Sequence, residues 1–171
     1  MPTLTWKDSR LPADDVAPWD TTILFTGPSI PLDELVKDSV AWCEQHTGAS
    51  MNLMIYCHGA PGFLQICKEG IRLSNVGKLA PLKPYFDAVS IHACLIAKGQ
   101  NGQAFCTRLA HTLVAQVAGA VSLQYNTGPW TLYGFIDDKK YDGNYYKFDP
   151  SGARSGPYNS DKWKEPHLIA R

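Results

Sequence analysis

Long apolar runs are missing from this chain of 171 residues. None approaches the ~18 residues of a membrane-spanning helix. The opening Met1-Pro2-Thr3-Leu4-Thr5-Trp6-Lys7-Asp8 has no apolar signal core. The expectation is a protein with no membrane partner, cytoplasmic or exported by a route that needs no cleaved signal peptide. Charge imbalance is missing too, since 16 basic and 16 acidic side chains leave a formal net charge of zero. No basic stripe points to nucleic acid, and no acidic tail to a solvating arm. The spacing of a disulfide scaffold is also lacking. Five cysteines, at 43, 57, 67, 94 and 106, make an odd number, and reduced thiols are expected. There are no internal repeats, no low-complexity tract and no convincing boundary, so residues 1–171 are read as one domain with one sizeable core.

What is present alternates between strand and helix. Residues 1–20, with Pro2, Pro12 and Pro18 among mixed charges, read as an extended N-terminal arm. Thr21-Thr22-Ile23-Leu24-Phe25 is β-rich and ends at Gly27-Pro28. Ser29 is placed to cap a helix that starts near Pro31 and carries Leu32, Leu35, Val36, Val40 and Cys43 on one face. A strand runs from Leu53 to Cys57, then a small hairpin pairs Phe63–Ile66 with Ile71–Leu73. A second apolar strand ends at His92-Ala93-Cys94. Phe105, Leu109, Leu113 and Val117 predict a long helix stopped by Gly119, followed by a strand over Ala120–Tyr125. This order implies parallel βαβ units with helices on both faces. Residues 127–171 differ: Trp130–Ile136 and Tyr145–Phe148 alternate aromatic with small or polar residues, and read as an appended β-hairpin and tail.

Two of these strands end in reactive residues, His58-Gly59 after one and Ala93-Cys94 after the other. Ligands of open parallel sheets bind beyond the carboxyl ends of the strands. An imidazole and a thiol held there are the minimum equipment of a cysteine nucleophile with a proton-transfer partner. Cys57, His58, His92 and Cys94 also invite comparison with a zinc site. Alternation puts Cys57 and His58 on opposite faces, and no Cys-x-x-Cys or His-x-x-x-His pair reinforces it. No metal and no cofactor are therefore expected.

His58-Gly59-Ala60-Pro61-Gly62, a short hairpin, then Cys94-Leu95-Ile96-Ala97-Lys98-Gly99-Gln100-Asn101-Gly102 and a helix resemble the caspase, gingipain, legumain and separase clan of cysteine peptidases. Within it the pattern is most similar to bacterial CHAT-type domains and to a related domain at the front of large bacterial surface proteins. The resemblance spans roughly residues 50–126. It implies a caspase-like three-layer α/β sandwich with a mostly parallel central sheet. It also implies a cysteine endopeptidase, with Cys94 as nucleophile and His58 as proton carrier. The backbone amides of Gly59 and Cys94 would form the oxyanion hole. Gln124, Tyr125 and Asn126 would border the substrate pocket. Apart from the resemblance, Trp130 is a candidate wall of that pocket and Asp20, at the start of the first strand, a candidate reader of a basic substrate residue. The partner implied is a protein or peptide substrate. An effector role would add a cognate inhibitor protein, and a regulatory protease within its own cell is equally open. Two rival readings are a catalytically idle binding module of the same fold, and a Cys/His amidase or acyltransferase on non-protein amides.

Overall fold

A computed structural model describes residues 2–11, 21–123 and 144–159. Among the described residues, ten strands and two α-helices are ordered as β1 (Thr3–Asp8), β2 (Thr21–Thr26), α1 (Leu32–Glu44), β3 (Met51–Tyr56), β4 (His58–Ala60), β5 (Phe63–Gln65), β6 (Ile71–Arg72), β7 (Phe86–His92), α2 (Gly99–Leu113), β8 (Gln116–Ala120), β9 (Asn144–Phe148) and β10 (Arg154–Asn159). A 3-10 helix, Val76–Leu82, lies between β6 and β7. Seven strands form one sheet in the order β10-β9-β8-β7-β3-β1-β2. The five from β8 to β2 are parallel, and β9 and β10 add an antiparallel hairpin at the far side. The mostly parallel α/β sheet and its C-terminal hairpin are as expected. No described helix is long and apolar enough to cross a membrane.

The arm at the N-terminus needs correction. Thr3–Asp8 is an inner strand between β2 and β3, with all six residues buried. Prolines at 12 and 18 obscured a period-two pattern that ends before them. Leu4 and Trp6 face the helices, while Thr5 and Lys7 face the other way. The Trp6 indole Nε1 donates to Ser39 Oγ on α1 at 2.8 Å, and that hydroxyl donates to Leu35 O at 2.7 Å. The buried indole is thus satisfied, as a core tryptophan must be.

One core joins Leu4, Trp6, Leu53, Ile55, Val89, Ile91 and Val117 of the sheet to Leu35 and Val36 of α1, Leu79 and Leu82 of the 3-10 helix, and Phe105, Leu109 and Leu113 of α2. Each such side chain contributes ~1.5–3 kcal/mol by leaving water. The opposite face is buried but polar, with Thr3, Thr5, Lys7, Asn52, Met54, Tyr56, Ala88 and Ser90. Burial on both faces is typical of parallel strands. The described helices stand on the first face.

Other elements differ from expectation in their bounds or partners. The long helix ends at Leu113, with Val114 left-handed at φ 53°, and Val117 and Gly119 belong to β8. The four-residue apolar spacing runs on through the turn because both elements feed the same core. Gly119 is small for packing, not for stopping a helix: a Cβ there would lie 3.0 Å from Ile96 Cγ2 and 3.3 Å from Cys106 Sγ. The strand expected over Ala120–Tyr125 thus lies earlier, over Gln116–Ala120. Ser29 does not cap α1, whose N-cap is Pro31. The Leu32 amide instead donates to Glu69 Oε2 at 2.9 Å, a cap supplied from the loop before β6. In the tail, Tyr145–Phe148 does form a hairpin strand, but its partner is Arg154–Asn159 across the Asp149–Gly152 turn. Trp130–Ile136 lies outside the described residues.

Candidate active site

The chain leaves β1 outward to β2, then returns past β1 to β3, β7 and β8. Strand order therefore reverses between β1 and β3, and their carboxyl ends open the crevice where such sheets take ligands. Asp8, Cys57-His58 and Ala93-Cys94 stand at the carboxyl ends of β1, β3 and β7.

Tyr56 pairs with His92 in the parallel ladder, and the Cys57 amide donates to His92 O at 3.4 Å. The two strands thus stay together for one residue beyond β3. The chain then turns into a second, three-stranded sheet of β4, β5 and β6, where His58 pairs with Gln65 and Gly59 with Leu64. His58 is exposed and Cys94 half-buried.

Gly59 holds the two motifs in contact. A Cβ on it would lie 2.8 Å from Ala93 Cβ, 2.9 Å from Cys94 O and 3.3 Å from Cys94 N. The main chain directly after His58 therefore rests on the Ala93-Cys94 peptide, with no room for any side chain between them. Beyond Cys94 the chain is pinned on both sides. Leu95 N donates to Ser122 O at 3.0 Å and Ala97 N to Ala120 O at 2.9 Å, while Gly62 N donates to Ile96 O at 3.1 Å. Leu95 is left-handed at φ 56°, a conformation costly for a branched side chain. Such strain is found where surrounding contacts over-determine the backbone, commonly at functional sites.

Sequence reasoning missed a clamp beside this pair. Asp8 is fully buried, and its carboxylate accepts from Arg10 Nε at 2.6 Å and from Arg10 Nη2 at 2.7 Å. Arg10 Nη2 also donates to Cys67 O at 3.0 Å and to Gln65 O at 3.3 Å. Gln65 is the residue paired with His58, so the clamp ties the end of β1 to the sheet that carries the histidine. Its hydrogen bond to Asp8 pushes the Arg10 pKa up. The signal was an Asp-x-Arg at a strand end, hidden once those residues were read as an arm.

The other cysteines behave as core. Burial, and then the charge of Asp8, pushes the Cys57 thiol well above its ordinary value. Burial also raises Cys67 and Cys106. Each is the neutral thiol of a packed side chain, unsuited to attack as thiolate. No cysteine is in a disulfide. His92 stacks on Tyr56 with ring centroids 4.5 Å apart and planes 3° from parallel. Burial pushes its pKa down to about 4, so it is neutral at ordinary pH. Among the described residues no three His, Cys, Asp or Glu side chains are grouped to hold a metal. Asp20, Gln124, Tyr125, Asn126 and Trp130 lie outside the described residues.

Fold and site together define an α/β protein whose parallel sheet brings a histidine-glycine turn onto a cysteine at neighbouring strand ends. Residues 32–134, more than half of the chain, match the family model described as "Domain of unknown function (DUF4347)", and the chain belongs to that family. No curated protein matches it. Among solved structures it is similar to the "X-ray structure of a secreted C11 cysteine protease from Bacteroides thetaiotaomicron in complex with an irreversible peptide inhibitor". The TM-score is 0.49 at 10% identity, over 88% of this chain and 66% of that one. The chain thus spans less than two thirds of that protein's length.

Proposed function

We propose that this chain is a caspase-like cysteine endopeptidase with His58 and Cys94 as its dyad. The observation that carries the reading is the seat of Gly59 on the Ala93-Cys94 peptide, which leaves His58 and the thiol on adjoining strand ends at the crevice. Cys94 Sγ, as thiolate, attacks the carbonyl carbon of a peptide bond. The backbone amides of Gly59 and Cys94 stabilise the oxyanion. The C–N bond breaks as His58 delivers a proton to the departing amine, leaving an acyl thioester on Cys94. Water, deprotonated by His58, then hydrolyses the thioester to a carboxylic acid and restores the thiol. The bidentate Asp8–Arg10 clamp supports this reading, because it fixes the small sheet on which His58 must keep its place.

The test is cleavage of a mixed peptide library by the purified chain in reducing buffer, beside Cys94→Ala and His58→Ala. Cleavage by wild type, lost in both folded variants, is the expected result. Cleavage that survives Cys94→Ala overturns the dyad. Folded wild type that cuts no peptide overturns the endopeptidase, and turnover of a non-peptide amide would then identify an amidase using the same pair.

A further inference from the structure

The two ends of the main sheet are guarded unequally. At one end β10 carries Pro157 and an irregular register between Ser155 and Tyr158. Both are devices that discourage another strand from adding there. At the other end stands β2, which among the described residues has a neighbour only on its β1 side. Its six residues, Thr21-Thr22-Ile23-Leu24-Phe25-Thr26, include no charge, proline or glycine. Phe25 is 64% exposed, the highest value among the exposed large apolar residues, and Thr22 is exposed as well. Among the described residues this is an uncovered, uncharged, β-rich edge, and such an edge offers its amides and carbonyls to a further strand.

The sequence of β2 indicates which strand fits. Leu24 pairs with Trp6 and lies on the helix-covered face, whereas Ile23 and Phe25 pair with Thr5 and Lys7 on the other. Residues opposed in an antiparallel ladder must share a face. A two-fold axis at Leu24 meets that condition: Leu24 opposes its own copy, Ile23 opposes Phe25, and Thr22 opposes Thr26. The pairs are then aliphatic on aliphatic, β-branched on aromatic and hydroxyl on hydroxyl, combinations that stabilise cross-strand neighbours. About Leu24 the strand is apolar at its three centre positions and carries a threonine on either side, which suits a second copy of itself. A net charge of zero sets no long-range repulsion between copies.

We propose that β2 joins two copies of this chain by antiparallel edge pairing about an axis at Leu24, so that their main sheets run on as one. This assignment is independent of the dyad.

Sedimentation equilibrium on the full chain tests it, with Phe25→Lys and Phe25→Glu. The two Phe25 positions are diagonal neighbours across the axis, roughly 7–8 Å apart. Wild type should show twice the chain mass. Either variant alone places like charges there, removes two aromatic pairs, and should weaken association by at least about tenfold. An equimolar mixture of the two should restore the dimer. Phe25 lies outside the core, so melting of dilute, dissociated samples should not change. Wild type that stays monomeric at high concentration overturns the proposal, as does a dimer indifferent to both variants. Monomeric variants that fail to rescue each other overturn the axis at Leu24.

Discussion

Gly59→Ala is the most informative single substitution, because it adds one carbon at the contact that holds the proposed dyad together. The new Cβ meets Ala93 Cβ at 2.8 Å and Cys94 O at 2.9 Å, and ordinary contact begins at 3.4 Å. The two main chains must therefore part by about 0.6 Å, since neither neighbour is the flexible tip of a side chain. Overpacking of this kind costs about 1–3 kcal/mol of stability. Catalysis should suffer more, because a displacement near 1 Å in reacting groups costs about a hundredfold. The amides of Gly59 and Cys94, proposed to hold the oxyanion, separate in the same movement. The expected outcome is a folded protein whose kcat/KM on the best library peptide falls by about two orders of magnitude. Gly77→Ala is the control: a Cβ there meets nothing within 4 Å, and activity and melting should both be unchanged. Thermal unfolding separates loss of fold from loss of geometry. A folded Gly59→Ala variant with wild-type kcat/KM would refute the reasoning, for the contact would then have no bearing on the chemistry.

Two further outcomes follow from the clamp and from His92. Arg10→Ala leaves the buried Asp8 carboxylate without its bidentate partner and Cys67 O without its donor, and should cost about 3 kcal/mol in denaturant unfolding. His58 should lose position with it, so kcat/KM should drop even under conditions where the variant is folded. The pH dependence of stability should carry the mark of His92, whose folded pKa is about 4 against an ordinary 6.5. Unfolding takes up a proton between those values, so its contribution is whole above pH 6.5 and is lost as pH falls towards 4. The slope is about 1.4 kcal/mol per pH unit at most. Denaturant melts of His92→Gln across that range should be flatter than wild type, and equal slopes would count against the desolvated neutral imidazole.

By itself the sequence determined the class of fold, the alternation of strands with helices, and the two short motifs whose residues now stand together. These are local matters. Leu53–Tyr56 is apolar because both of its faces are buried, and α1 and α2 show their core faces as periodic leucine, valine and phenylalanine. Tertiary structure alone decided the rest. That Thr3–Asp8 is an inner strand rests on β3 pairing with it some fifty residues later. The capping of α1 by Glu69, the Asp8–Arg10 grip on Gln65 and Cys67, and the small residue at Gly119 all depend on groups far apart in the chain. His58-Gly59 and Ala93-Cys94 were legible as the ends of neighbouring strands, but the seat of the Gly59 main chain on Ala93-Cys94 was not. Spacing along a chain sets which residues can reach a sheet edge, and only the register of β3 against β7 sets which main chains touch there.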